Sequence, residues 1–88
     1  MAKITDFLMH GRSNAKHMDE LSADANLPER AIRKEILDAR LQGELIISCN
    51  DGYFIASDPE EIREYVIKRK AYIKTASQAL RPFVNAIR

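Results

Sequence analysis

Three basic side chains between Pro28 and Gln42 have the types and spacing that could bind nucleic acid. Arg30, Arg33 and Lys34 fall on one side of a predicted helix. The opposite side of this helix is apolar and carries Ile32, Ile36 and Ala39. A guanidinium group can donate two hydrogen bonds to one guanine, a contact worth roughly 1–3 kcal/mol of discrimination, and a lysine ammonium suits a phosphate. The pattern therefore predicts a helix that presents its arginines to base edges and Lys34 to the backbone.

The same face also carries residues that favour a simpler interpretation. Glu29 and Leu37 lie beside the three cations. A carboxylate can accept a hydrogen bond from cytosine N4, but it repels phosphate. Acidic residues at i,i+3 or i,i+4 spacing can also pair with the cations of an ordinary solvated face; these are Glu29, Glu35 and Asp38. Taken alone, this helix leaves both interpretations open.

Two predicted helices joined by a short turn would position this face. Helical spacing predicts a short helix over Asp19–Ala25, and Asn26 can adopt the left-handed conformation that often ends a helix. Pro28 begins the next helix at a position where its missing N–H costs nothing, and Gly43 ends that helix. The spacing is that of a helix-turn-helix.

The segment before this pair supplies further candidates. The spacing of its apolar residues predicts a first helix over residues 3–10, and a short strand is considered at residues 15–18. Arg12 and Lys16 precede the second helix, so we expect them to meet the nucleic-acid backbone.

The runs LIIS and YFIA, separated by CNDG, predict a β-hairpin, because Asn, Asp and Gly accept positive φ. Strand alternation places Tyr53 and Ile55 towards the core and Phe54 on the other face, where we expect the last helix to cover it. The tip of the hairpin is Asn50 and Asp51. An acidic tip is not expected to grip DNA strongly.

A long helix is predicted after the hairpin. Asp58 is the expected N-cap and Pro59 the first helical residue. Apolar residues then recur with heptad spacing, broken once by Arg69, and those expected to pair two copies of the chain are Ile62, Val66, Ile73, Leu80, Phe83 and Ile87. Pro82 is expected to kink or end the helix, and residues 81–88 could then bend back onto the rest of the chain.

Composition places the 88-residue chain among globular domains, with 45% hydrophobic and 31% charged residues. The net charge of +1 conceals an asymmetry. Residues 1–61 hold seven Lys or Arg and twelve Asp or Glu, a balance of −5. Residues 62–88 hold seven Lys or Arg and one Glu, a balance of +6, which could attract phosphate or an acidic protein.

Several classes of function find no support in the sequence. No apolar run approaches the roughly 20 residues of a membrane helix, and the first residues do not have the pattern of a secretion signal. With one cysteine, Cys49, a cytoplasmic location is expected. His10, His17 and Cys49 lack metal-ligand spacing, and there is no Gly-rich phosphate loop or catalytic triad. We therefore expect no enzyme activity, metal, cofactor or small-molecule ligand.

The segment ELSADANLPERAIRKEILDARLQGELI, together with DGYFI, resembles winged helix-turn-helix domains of the biotin-operon-repressor type. The resemblance covers residues 4–57, although Pro28 stands where such domains commonly have a Ser or Thr cap. The whole chain also resembles small winged-helix proteins encoded by bacterial phages and prophages. The implied fold is mostly α with a small β-hairpin: a winged helix-turn-helix domain at 1–57 and a C-terminal helical extension at 58–88.

The resemblance implies a regulator of transcription, of phage or mobile-element type, that binds double-stranded DNA as a homodimer. Its helix 28–42 would read the major groove. Two other functions stay open. The winged helix could be a scaffold for protein–protein interaction, or the basic helix 62–88 could serve a non-specific nucleic-acid or replication accessory protein.

Overall fold

The computed structural model describes residues 3–87 and has the mostly α architecture that the sequence predicts. Two short 3-10 helices come first, at Ile4–Phe7 and Arg12–Asn14. Three α-helices and a two-stranded antiparallel hairpin follow, in the order α1 Met18–Ala25, α2 Glu29–Leu41, β1 Ile46–Cys49, β2 Gly52–Ile55 and α3 Pro59–Ala86. This is a winged-helix layout extended by a long C-terminal helix. We call residues 3–58 the body.

The turn between α1 and α2 forms as predicted. Asn26 adopts the left-handed conformation, with φ of 55°, and the Leu27 N–H donates to the Ser22 carbonyl. Pro28 is the N-cap of α2 and not its first residue. The helix therefore begins at Glu29, one position later than predicted. Gly43 follows the end of α2 with φ of 101°, a conformation that favours glycine.

The hairpin pairs Ile46 with Ile55 and Ile47 with Phe54, and Asn50 and Asp51 form its tip. The expected strand at residues 15–18 is reduced to one bridge residue, Lys16. Its N–H and carbonyl both bond to Tyr53, at N–O distances of 2.9 and 2.7 Å. The wing therefore has a third strand only one residue long.

The core lies between the first 3-10 helix, α1, α2 and the hairpin. Its buried members are Ile4, Leu8, Leu21, Ile32, Ile36 and Ile46. Tyr53 and Ile55 pack against this cluster, as strand alternation predicts. Phe54 is only 2% exposed and shares the other face of the hairpin with Ile47. This burial confirms that Phe54 is covered, and α3 contacts the neighbouring strand β1.

The predicted helix over residues 3–10 is wrong. Only Ile4–Phe7 is helical, and Leu8 has extended backbone angles. The reason is a competing set of backbone bonds: Ile55 donates to the Met9 carbonyl and accepts from Gly11 N, each at 2.9 Å. The end of β2 thus draws residues 9–11 out of a helix while Ile4 and Leu8 remain in the core.

α3 begins as predicted and ends later than predicted. The Asp58 carboxylate accepts from Glu61 N at 2.9 Å, which is the expected cap. The helix continues through Pro82 to Ala86, so Pro82 does not end it and residues 81–87 do not bend back; residue 88 lies outside the described residues. The other expectation, a kink at Pro82, stays a prediction. Pro82 removes one backbone hydrogen bond, but the helix that precedes it continues for one more turn, Phe83–Ala86. Within residues 3–87, no helix has the length and apolar content that crossing a membrane requires.

Candidate nucleic-acid interface

The outward face of α2 carries the three predicted cations in the orientation that the sequence implies. Ile32 and Ile36 are buried and fix the rotation of the helix on the core. Arg30, Arg33 and Lys34 are all exposed. They lie in the N-terminal half of α2, and in helix-turn-helix proteins this half reaches base edges.

The acidic neighbours on this face hold the cations only weakly. Arg33 lies 3.8 Å from the Glu29 carboxylate, and both side chains are more than half exposed. A pair of this kind contributes a few tenths of a kcal/mol in water, so it can be exchanged for a contact to nucleic acid. In the described part of the chain, neither Arg30 nor Lys34 forms an ion pair. The α2 face is therefore free to bind an anionic or polar partner.

Leu37 extends the same face by one turn towards the C-terminal end of α2, and it is exposed. A leucine there can contact the methyl group of thymine or an apolar patch on a protein. Its position fits both the nucleic-acid interpretation and the alternative of a protein partner.

Lys16 and Arg12 are placed differently from the α2 cations, because acids of other elements hold them. The Lys16 ammonium lies 2.8 Å from the Asp24 carboxylate in α1. Arg12 lies 3.8 Å from Asp51 and 3.7 Å from Glu64. The interaction with the Cys49 side chain, followed by the negative charges of Glu64 and Asp51, raises the pKa of Arg12. Both residues thus have internal partners that a phosphate would have to replace.

The wing tip supplies no cation to a nucleic-acid surface. Residues 46–55 contain no lysine or arginine, and Asp51 at the tip is the partner of Arg12. The expectation that this wing does not grip DNA strongly stays a prediction.

Sequence reasoning missed Arg40, a cation of α2 that joins three elements. Its Nε donates to the Ile46 carbonyl at 2.9 Å, and a terminal nitrogen lies 3.4 Å from Ser48 Oγ. The guanidinium carbon lies 5.5 Å from the centre of the Tyr65 ring in α3, within the range of a cation–π contact. A signal was present in the sequence, because position 40 follows Ile36 by one turn and so lies beside the buried stripe.

Glu61 is the second residue that sequence reasoning undervalued. Its carboxylate accepts from Ser57 N at 2.8 Å, Ser57 Oγ at 3.0 Å and Arg12 N at 2.9 Å. These bonds, led by the one from the Ser57 backbone, lower the pKa of Glu61 because they stabilise the charged form. Glu61 therefore ties the start of α3 to the segment around Arg12, in addition to favouring the positive end of the helix.

The apolar stripe predicted for pairing divides into two parts. Ile62 is half-buried against the body, whereas the members from Val66 onwards are exposed. The exposed members are Val66, Ile73, Leu80, Phe83 and Ile87. None of them contributes to the core of the body.

Comparisons with protein-family models, with curated proteins and with solved structures found no match for this chain.

Proposed function

We propose that this chain is a winged-helix DNA-binding protein that reads the major groove of double-stranded DNA with the N-terminal half of α2. The observation that carries the proposal is the exposed set Arg30, Arg33 and Lys34 on a helix whose opposite face is fixed in the core. An α-helix fits the major groove, and arginine is well suited to guanine there. A role in transcription control follows from sequence-specific binding, and the likeness to small phage proteins suggests a phage or mobile-element setting.

The distribution of charge predicts binding of moderate strength. Residues 1–61 have a balance of −5, and two cations of the body are engaged by acids. If the three α2 cations were the only ones to neutralise phosphates, log K would fall with log salt at a slope no steeper than about −3 per chain. The proposal therefore predicts a shallow slope of log K against log salt, together with a clear base preference.

The test is a selection from random oligonucleotides at a stated salt concentration, with Arg33→Ala compared with the wild type. We expect the wild type to enrich a motif. Arg33→Ala should lose the preference at one guanine position, with affinity for the selected site reduced about 5- to 150-fold, which corresponds to roughly 1–3 kcal/mol.

Arg63→Ala is the matched control. Arg63 is 65% exposed and pairs with Glu60 in its own helix, much as Arg33 is 64% exposed and pairs with Glu29. Arg63→Ala should keep the motif. Absence of any enriched motif, or the same motif in Arg33→Ala and the wild type, would contradict the proposal.

A second candidate function is sequence-independent binding of nucleic acid by α3. Lys70, Lys74 and Arg81 fall on one face of this helix at i, i+4 and i+11, and no acidic side chain within residues 3–87 pairs with them. Replacing all three with alanine should then weaken binding equally for all sequences and reduce the salt slope by about 3. If the motif and the affinity persist in this triple variant, α3 has no part in binding.

A further inference from the structure

Residues 66–87 of α3, which we call the distal segment, extend beyond the contacts with the body. All of these residues are exposed, and as a helix they span about 33 Å at 1.5 Å per residue. The members of the stripe in this segment include Ile73, Leu80 and Phe83, which would lie buried in a self-sufficient domain. A long amphipathic helix gains most of its stability by packing this apolar face against another surface.

The stripe continues an interface that already exists. At the start of α3 the helix contacts β1, and Ile62 and Tyr65 line the space next to Ile46 and Ile47. Between α3 and the body there remains an open groove of about 270 Å³, lined mainly by apolar side chains: Leu45, Ile46, Ile47, Ile62, Tyr65 and Val66. Because an apolar cavity of about 150 Å³ can hold benzene, this groove has room for a phenyl ring.

The spacing of the stripe is symmetrical about a point between residues 74 and 75. Its positions follow the order 4-3-4-3-4-3-4, which is the same in both directions. If two copies of α3 run antiparallel with these midpoints side by side, Phe83 of one copy lies opposite Val66 of the other. Ile87 then meets Ile62. Both receiving residues line the groove, so the symmetry of the sequence and the position of the groove agree.

We propose that α3 pairs antiparallel with α3 of a second copy of this chain, and that Phe83 of each copy enters the groove of the other beside Val66 and Leu45. The groove does not include Arg30, Arg33 or Lys34, so the proposal does not depend on DNA binding.

Arg69 is one reason for the antiparallel orientation. It is the one charged member of the stripe, and in a parallel two-fold pair it would face Arg69 of the second copy. Like charges at such a position destabilise a pair. In the antiparallel pair it faces Leu80, while its guanidinium carbon lies 5.0 Å from the centre of the Tyr72 ring, at the side of the stripe.

The charges at the end of α3 favour the same orientation. Residues 81–88 contain Arg81 and Arg88 and no acid, whereas the body holds seven Lys or Arg and ten Asp or Glu, a balance of −3. The antiparallel pair brings this basic end to the acidic body of the second copy. A parallel pair would bring it to an identical basic end, with repulsion that increases at low salt.

The first test is sedimentation of the full chain over a wide range of concentration, with Phe83→Glu compared with Ile67→Glu. Phe83 is 71% exposed and Ile67 is 63% exposed on the same helix, but Ile67 lies outside the stripe. We expect the wild type and Ile67→Glu to dimerise equally. Phe83→Glu should dimerise at least tenfold more weakly and remain folded, because the residue has no contacts in the core.

A second pair of variants tests the groove. Leu45 lines the groove and Leu41 does not, although both are exposed. Leu45→Glu should weaken dimerisation about as strongly as Phe83→Glu does, and Leu41→Glu should leave it unchanged. Equal dimerisation by Leu45→Glu and the wild type would overturn the docking of Phe83 in the groove.

The orientation is tested with a spin label at Asn85→Cys in a Cys49→Ser background. In the antiparallel pair residue 85 meets residue 64, so the two labels are about 32 Å apart along the axis, against roughly 10 Å in a parallel pair. A short label distance overturns the proposal, and so does a wild type that stays monomeric at every concentration. Binding of a monomeric chain to phosphatidylglycerol vesicles through α3 would overturn it in favour of a lipid surface.

Discussion

The body and the distal segment of α3 differ in the burial of their apolar residues. In the body, isoleucines and leucines from four elements meet in one buried cluster. In the distal segment, residues of the same types are spaced as regularly but remain exposed along one face. Since burial of such side chains is the main favourable term in folding, the body contains most of its own stability, and the distal segment depends on what it contacts.

The two regions also differ in whether their lysines and arginines have partners within the chain. Arg12, Lys16 and Arg40 in the body each have a partner on another element. Among the described residues of the distal segment, no lysine or arginine has an acidic partner. The body cations without such a partner are Lys3, Arg30 and Lys34, together with the loosely paired Arg33. Apart from Lys3, cations without strong internal partners thus occur on α2 and on the distal segment, the two surfaces for which we propose partners.

The largest expected effect comes from removing one isoleucine side chain from each region. Ile32 is fully buried in the body, so Ile32→Ala should reduce the free energy of unfolding by about 3–4 kcal/mol through lost contacts and a residual cavity. Ile67→Ala in the distal segment should change it by less than about 0.5 kcal/mol, because the side chain is exposed and alanine is a good helix former.

Urea unfolding followed by circular dichroism measures both values. If Ile32→Ala does not fold, Ile32→Val provides the comparison with a loss of about 1 kcal/mol. Similar losses for the body and distal variants would mean that the body does not hold most of the stability.

A smaller effect is expected at two glycines of the body that have positive φ. Gly52 has φ of 120°, and a Cβ there would collide with the backbone of Lys16 and His17. Gly52→Ala should therefore cost about 3 kcal/mol and open the bridge between Lys16 and Tyr53. Gly43 has φ of 101° but open space around it, so Gly43→Ala should cost only about 1 kcal/mol of backbone strain.

Thermal unfolding separates the two glycine variants, and amide exchange at Tyr53 reports on the bridge. Equal losses of stability in Gly52→Ala and Gly43→Ala would indicate that the close approach of residue 16 to the wing contributes nothing to the stability of the fold. The single-residue third strand would then be a weak feature of the fold.

The sequence predicted the elements whose signals are local. The Asn26 turn, the CNDG hairpin and the Asp58 cap each depend on residues within a few positions of one another, and each forms. The rotation of α2 was predictable as well, since helical periodicity determines which side faces the core. The exposed positions of Arg30 and Arg33 follow from that rotation.

The errors occur where a distant residue competes with a local preference. Met9 and His10 are not helical because Met9 and Gly11 bond to Ile55, more than forty positions away, and no spacing within residues 3–10 shows this. The ion pairs of Arg12 with Asp51 and Glu64 are equally remote in sequence. Pro82 is the reverse case: a local rule predicted that it kinks or ends the helix, but the 28-residue helix does not end there and continues to Ala86.

The smallest expected effect concerns Glu61, the residue at the junction between the body and α3. Its three accepted bonds lower its pKa, so the charged form stabilises the folded state. This contribution is complete above the ordinary carboxyl pKa of 4.5 and is lost as the pH falls through the lower value of the folded state. Glu61→Gln should therefore lower the unfolding temperature at neutral pH, and the difference from the wild type should shrink below about pH 4.5.

Thermal unfolding at a series of pH values measures this difference. Glu60→Gln is the matched control, because Glu60 lies at the same helix end and bonds only to Arg63 within residues 3–87. It should leave the shape of the pH profile unchanged. A constant difference between Glu61→Gln and the wild type at all pH values would show that the carboxylate charge does not hold α3 to the body. The junction would then depend on Arg40 and the apolar contacts of Ile62 and Tyr65.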